Sequence, residues 1–484
     1  MRGLFLLATA FAALLFAAAG FSQNAENTAP TMDTVVASPQ AEGMTTASMS
    51  RGKRIAIAGD CAACHADPAG SSEFSGGFAL ATPMGKVYAR NITPDPETGI
   101  GGWTLQEFDQ ALRKGQSKNI GHLYPAMPYT SYRYMTDDDV KALYDYLMDE
   151  VKPVQNTVPE THLGFPFLRS AMVFWDALFS GSGKAPTLEN ASPQVQRGQY
   201  LVDVLGHCGE CHTPRGLMFQ SEAESEHLGG AIVGSWYAPN ISSDKNGIGG
   251  WPDEKLKRFL VHGKVKSASA GGDMGLAVRM SLSQLPQSDL DAVVAYLKAT
   301  PPVTGQPLAP VVAKVAPLEL AAVEPVNADY KAFFNASSTN GALLYLSACA
   351  ACHGVDGSLA KGAGPSLTHS GAVRAANPIN VVQTIINGIN LGELDPQHLM
   401  PSFRSELNDA QIAAIASYVR QRFGGIQQSV NESEVVSILN GTHDIPWLLL
   451  NARWLAWLGL IAGFAVVIGG GFLIARRSRS KKAV

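Results

Sequence analysis

The sequence predicts a mostly α-helical protein of three domains in tandem, followed by one C-terminal transmembrane helix. Three observations predict it. The pattern Cys-x-x-Cys-His occurs at Cys61–His65, Cys208–His212 and Cys349–His353, and uses all 6 cysteines of the 484-residue chain. Each copy is followed by a segment that closes on a helix with apolar residues at helical spacing. An unbroken uncharged run, Trp454 to Ala475, lies near the C-terminus.

Composition limits the function classes. With 46% hydrophobic residues and a net charge of −4, nothing points to a nucleic-acid partner. Only 16% of residues are charged, which fits some membrane content. Residues 1–22 read as a signal peptide: Arg2, an apolar run from Leu4 to Ala19, then small residues, with cleavage between Ala19 and Ser22. An uncleaved N-terminal anchor is the alternative. Residues 23–48, rich in Ala, Thr, Pro and Ser, read as a disordered linker.

Domain 1 spans 49–153. Arg51-Gly52 leads a short helix to Cys61, and loops follow through Asn91-Ile92-Thr93-Pro94 and Gly99-Ile100-Gly101-Gly102-Trp103. Thr104 and Glu107 have capping-box spacing, and a closing helix begins near Thr136 with Val140, Leu143, Tyr144 and Leu147 on one face. Residues 154–191 form a connector. Its apolar stripe Leu168, Met172, Trp175 and Phe179 reads as a helix packed on its neighbours; a membrane-surface contact or part of a quinone pocket are the sharper readings. Domain 2, 192–303, repeats domain 1: Arg197-Gly198, Tyr237-Ala238-Pro239-Asn240-Ile241 and Gly247-Ile248-Gly249-Gly250-Trp251 all return, which implies duplication. A Pro/Ala/Val-rich linker covers 304–329. Domain 3, 330–425, keeps the Cys-x-x-Cys-His motif, a loop and a closing helix from Asn408 to Phe423. Residues 426–446 read as a stalk.

The membrane helix covers 447–475. At ~1.5 Å per residue its uncharged run is about 33 Å long, enough to cross a bilayer. Trp447, Trp454 and Trp457 mark one interface, and Arg476, Arg477, Arg479, Lys481 and Lys482 the other. The positive-inside rule makes the tail 476–484 cytoplasmic and the body periplasmic, on the cell inner membrane. Gly459 and Gly463 have the spacing of a helix-packing face. If order along the chain reflects order in space, the Cys349 motif lies nearest the bilayer.

Cys-x-x-Cys-His is the attachment signature of a c-type haem: two thiols bond the haem vinyl groups and the His ligates iron. The expected attachment residues are Cys61, Cys64, Cys208, Cys211, Cys349 and Cys352, with His65, His212 and His353 on the metal. Zinc would need its four ligands gathered, yet the cysteine pairs are widely separated along the chain. For the sixth ligand, Met127 follows Cys61 by the same step along the chain as Met274 follows Cys208. That identity favours both over Met84, Met135 and Met280. Met400, at a shorter step after Cys349, is the third, with His398 its competitor. Methionine raises the iron potential relative to a second histidine and leaves no open position, so substrate chemistry at iron is disfavoured. A carbonyl at Pro365 is expected to accept the His353 Nδ1–H.

Tyr124-Pro125-Ala126-Met127-Pro128-Tyr129, Asn91-Ile92-Thr93-Pro94 and His207-Cys208-Gly209-Glu210-Cys211-His212-Thr213-Pro214-Arg215 carry a wider likeness. The chain resembles the trihaem cytochrome c subunits of membrane-bound alcohol, aldehyde, gluconate and fructose dehydrogenases of acetic acid bacteria. Its C-terminal helix is most similar to that of the fructose, gluconate and aldehyde enzymes' subunits. The resemblance implies three cytochrome c-like domains holding three covalently bound haems c. It implies electron transfer from a separate catalytic subunit, of flavin, pyrroloquinoline quinone or molybdopterin type, to ubiquinone, and it allows a small third subunit. No motif for those organic cofactors occurs here, and no catalytic residue is assigned. Two other readings stay open at this point: a stand-alone membrane cytochrome feeding a terminal oxidase, and a haem enzyme such as a peroxidase or sulfur-compound oxidase.

Overall fold

The computed structural model describes residues 49–480 except 68–71, 83, 181–187, 189, 217, 222–223, 317–336, 359–365, 397–398 and 443–446. The signal peptide, the 23–48 linker, Pro365, His398 and the end of the basic tail therefore lie outside the described residues. What is described is mostly helix, with four two-stranded antiparallel hairpins.

The helices start where the sequence supplies side-chain caps. Ser50 accepts from Lys53 N–H to open Arg51–Ala58, and Thr104 with Glu107 forms the expected capping box on Leu105–Lys114. Thr136 caps Asp137–Asp149, with Asp137, Asp138 and Asp139 in its first turn. Ser192 with Pro193 opens Pro193–Gln199, and a second capping box, Asn408 with Gln411, opens Asp409–Gly424.

One helix crossing occurs three times. The helix before each motif packs against a closing helix, and a glycine sits at the contact. A Cβ on Gly52 would stand 2.0 Å from the Ala142 carbonyl oxygen, one on Gly198 1.9 Å from that of Ala292, and one on Gly341 2.3 Å from that of Ala414. A tyrosine one turn later, Tyr146, Tyr296 or Tyr418, closes each crossing. Only a residue without a side chain lets the backbones approach this closely.

The first two segments share more than this crossing. Asn91, buried, accepts from Thr93 N–H and O–H at 2.9 and 2.8 Å and donates to Val154 O at 2.7 Å. Asn240 accepts from Ser242 N–H and O–H at 2.8 and 2.7 Å and donates to Val303 O at 2.7 Å. Each asparagine thus ties the loop to the chain leaving its closing helix. A single apolar core runs through both segments, including Leu143 and Leu147 of the first and Leu205, Val293 and Leu297 of the second.

The third segment has its own core, built on Leu344, Val382, Ile386, Ile412, Ile415 and Phe423. It contains a helix absent from the sequence reading, Ile379–Asn387. Its run Ile-Asn-Val-Val-Gln-Thr-Ile-Ile-Asn is rich in β-branched residues, which disfavour a helix by propensity, although Ile379, Val382 and Ile386 stand at helical spacing. Residues 426–446, expected as a stalk, include the helix Glu432–Leu439, whose Val435 and Ile438 are fully buried in that same core. The buried Arg420 donates to the carbonyls of Ala375, Ala376 and Gln428, which joins this stretch to the closing helix.

Ala452–Ser480 is one continuous helix, and its residues 452–471 are long and apolar enough to cross a membrane, with mean hydropathy 1.8 and none of that stretch buried. Gly459 and Gly463 face open space. The beginning of this helix meets the connector that follows the first segment. Arg453 Nη2 donates to Leu163 O at 3.2 Å, and the Phe165 and Trp457 rings lie 5.2 Å apart. The connector of the first segment thus lies against the C-terminal apolar helix.

Candidate haem site

Each Cys-x-x-Cys-His lies on or against a helix of four or five residues: Cys61–His65, Gly209–His212 and Ala350–His353. The turn brings the two cysteines and the histidine of each motif together. None of the six cysteines is in a disulfide. All six, with His65, His212, His353, Met127, Met274 and Met400, line one continuous cavity of ≈ 2520 Å³. A pocket for one small ligand spans about 300–1,000 Å³, so this volume suits several large groups. Cys64 and Cys352 expose surface to that cavity.

Two of the histidines are held in the same way. His65 Nδ1 lies 2.6 Å from Arg90 O, and His212 Nδ1 lies 2.6 Å from Pro239 O. Arg90 and Pro239 are equivalent positions of the sequence repeat, each just before the stapling asparagine. A carbonyl partner makes Nδ1 the protonated nitrogen and leaves Nε2 with a free lone pair. Burial pushes both imidazoles below their ordinary range, against the carbonyl hydrogen bonds, which favours the neutral, ligating form. His353 is also pushed down by burial, but its Nδ1 is buried without a hydrogen-bond partner among the described residues. Burial likewise pushes the Cys61, Cys64, Cys208, Cys211 and Cys349 thiols up to about 12. Unpaired thiols beside an oriented neutral imidazole, all facing one apolar cavity, are the donor set that covalently attached haem requires.

The methionines differ in setting. Met127 and Met274 are half-buried, and Met127 packs on the shared core. Met274 sits in the first turn of Gly272–Met280 and packs on the small cluster of Ala270, Val278 and Leu391, the last from the third segment. Met400 forms a backbone bridge with Ile389. Met135 is buried at 3% exposure in the apolar core.

The elements carrying the first and second motifs pack against each other, which the sequence does not reveal. The short helix just after Met127, Tyr129–Tyr132, packs on the stretch before Cys208, and the helix carrying Met274 packs on Cys61–His65. Thr130 and Ser131 donate to Glu210 Oε1 at 3.2 and 3.4 Å, and Glu210 also pairs with Arg215. The Tyr132 ring stands edge-on to His207 at 5.5 Å, while its hydroxyl donates to Gly59 O at 2.6 Å. Asp60, between these elements, has one carboxyl oxygen buried without a partner among the described residues; burial, then repulsion from Asp273, pushes its carboxyl up to about 7.

Comparison with known proteins places these features. The cytochrome c family matches residues 49–149, and the family of cytochrome c oxidase, cbb3-type, subunit III matches residues 336–419. The fructose dehydrogenase cytochrome subunit of Gluconobacter japonicus is 39% identical over 89% of this chain and 92% of its own length. The gluconate 2-dehydrogenase cytochrome c subunit of Pantoea cypripedii is 36% identical over 81% and 89%. The cytochrome c subunit of the quinone alcohol dehydrogenase of Gluconobacter oxydans is 32% identical over 85% and 86%.

Proposed function

The chain belongs to the cytochrome c subunits of fructose, gluconate and alcohol dehydrogenase complexes and is an electron-transfer subunit, and from that premise we propose that it holds three haems c and connects a separate catalytic subunit to ubiquinone. The observation that carries the number three is the glycine crossing at Gly52, Gly198 and Gly341, which gives every Cys-x-x-Cys-His motif the same support. On this reading the cytochrome c-like domains are 49–153, 192–303 and 330–425.

When bound, each haem supplies one-electron storage at its iron. The residues of this chain do the rest. Cys61 and Cys64, Cys208 and Cys211, and Cys349 and Cys352 would hold the groups covalently. His65, His212 and His353 would ligate through Nε2, with Arg90 O and Pro239 O fixing two of the rings. Met127, Met274 and Met400 would complete the coordination and exclude water and substrate from iron. Substrate oxidation then belongs to the catalytic partner, of flavin, pyrroloquinoline quinone or molybdopterin type, with room for a small third subunit. The tryptophans at one end of the membrane helix and the arginines and lysines at the other support an inner-membrane anchor with the body in the periplasm.

Haem content tests this. A pyridine haemochrome assay on the purified chain should return three haems per polypeptide, and its intact mass should show three covalent additions. Two of either would remove the third site. Purification in mild detergent should bring down a catalytic dehydrogenase subunit, and the complex should reduce a short-chain ubiquinone when given its substrate; a chain that always runs alone would remove the partner.

A further inference from the structure

We propose that the outer face of the connector helix Met172–Phe179 lies in the lipid interface beside the membrane helix, as a second, in-plane membrane contact. Phe174 and Leu178, 72% and 71% exposed, are the most exposed large apolar side chains among the described residues outside 447–471. With Val173 and the exposed Ala177 they form an uncharged stripe at helical spacing.

The exposure does not come from a loose helix, because the opposite face is fixed. Trp175 is buried, donates from Nε1 to Met218 O at 2.6 Å and stands edge-on to Tyr129 at 6.5 Å. Asp176 accepts from Tyr129 O–H at 2.7 Å and lies 2.8 Å from His122 Nδ1. Phe174 and Leu178 thus stay largely exposed where they line the cavity, and Ala452 and Leu455 at the start of the C-terminal apolar helix line it too.

Continuity identifies lipid as the occupant. The residues leading into this helix touch the membrane helix itself: Arg453 donates to Leu163 O and Phe165 O, and Phe165 meets Trp457. Trp457 lies five residues into the helix, about 7 Å along its axis, which is interfacial depth. From Phe165 the chain reaches Leu168, itself 39% exposed, within about 11 Å. The helix is apolar nearly throughout, its one charged residue Asp176 is tied inward to Tyr129 and His122, and its exposed Phe and Leu follow from that depth, which suits contact with lipid.

The inference rests on the reading that 452–471 crosses the bilayer, and the test separates the two. Nitroxide labels at Phe174→Cys, Leu178→Cys, Val466→Cys and Glu226→Cys are placed one at a time on the haem-loaded complex in nanodiscs of phosphatidylethanolamine and phosphatidylglycerol. Collision with oxygen and with a water-soluble nickel chelate is then compared. Positions 174 and 178 should favour oxygen several-fold over the Glu226 label, in the direction shown by the Val466 label. Labels at 174 and 178 that match the Glu226 label would overturn the proposal, as would shielding from both reagents, which marks a protein cover. A water-like Val466 label would overturn the anchor reading and this inference with it.

Discussion

His65 and His212 each have a backbone carbonyl on Nδ1, and His353 has none among the described residues. The motif proposes the histidine ligand at all three, whereas the orienting carbonyl comes from Arg90 and Pro239, much further along the chain, where the side chain carries no signal. The proposal of Met127 and Met274 as sixth ligands rests on their standing at the same step from their motifs. Replacing Met127, Met274 or Met400 singly by Leu should lower the potential of one haem or make it high-spin, as read by spectroelectrochemistry and electron paramagnetic resonance. A Met274→Leu protein with every potential and spin state intact would remove that assignment. Asp60 allows a pH prediction. Its carboxyl lies at about 7 in the fold against 3.8 unfolded, so stability present below about pH 4 is lost as pH rises through 7. Asp60 has φ 51°, a left-handed conformation that asparagine also tolerates. Asp60→Asn should match the parent near pH 4 and exceed it above pH 7 by on the order of a few kcal/mol in thermal or denaturant unfolding. No pH-dependent difference between the two proteins would show that Asp60 is solvated.

At the scale of elements, the glycine crossings hold each motif in place. Gly52 and Gly198 were visible as repeated residues but not as contacts, because the partner helix arrives only at the end of the segment. Gly341 was not visible at all. Gly341→Val should force its helix from Ala414 and cost about 1–3 kcal/mol or more. Haem loading of the chain should fall by one equivalent while the first two sites remain filled, because the third segment has a separate core. Loss of all three haems would show that the cores fold together. Glu210→Ala tests the junction of the first two segments. It removes the acceptor of Thr130, Ser131 and Arg215, and should lower stability by about 1–3 kcal/mol and shift two haem potentials together.

For the whole molecule, the C-terminal helix long and apolar enough to cross a membrane was legible from length and composition alone, since a bilayer imposes its thickness on any spanning segment. What that helix touches was not. Ending the chain after Pro446 should release a haem-loaded protein from membranes into the soluble fraction. Residual flotation with liposomes should remain and should disappear on adding Phe174→Asp and Leu178→Asp. Flotation unchanged by that pair would place the remaining contact elsewhere.

The sequence by itself determined the haem chemistry, the duplication of the first two segments, the closing helices and the family, because each rests on local spacing or on a repeated string. Tertiary structure alone decided the close packing of the first two motifs, the placement of Ile379–Asn387 and Glu432–Leu439 in the third core, and the meeting of the connector with the C-terminal apolar helix. These depend on contacts between residues far apart in the chain. Both helices are short and the first is rich in β-branched residues, so their helical spacing is a weak local signal, and a backbone carbonyl or an exposed phenylalanine gains its meaning only from what stands beside it.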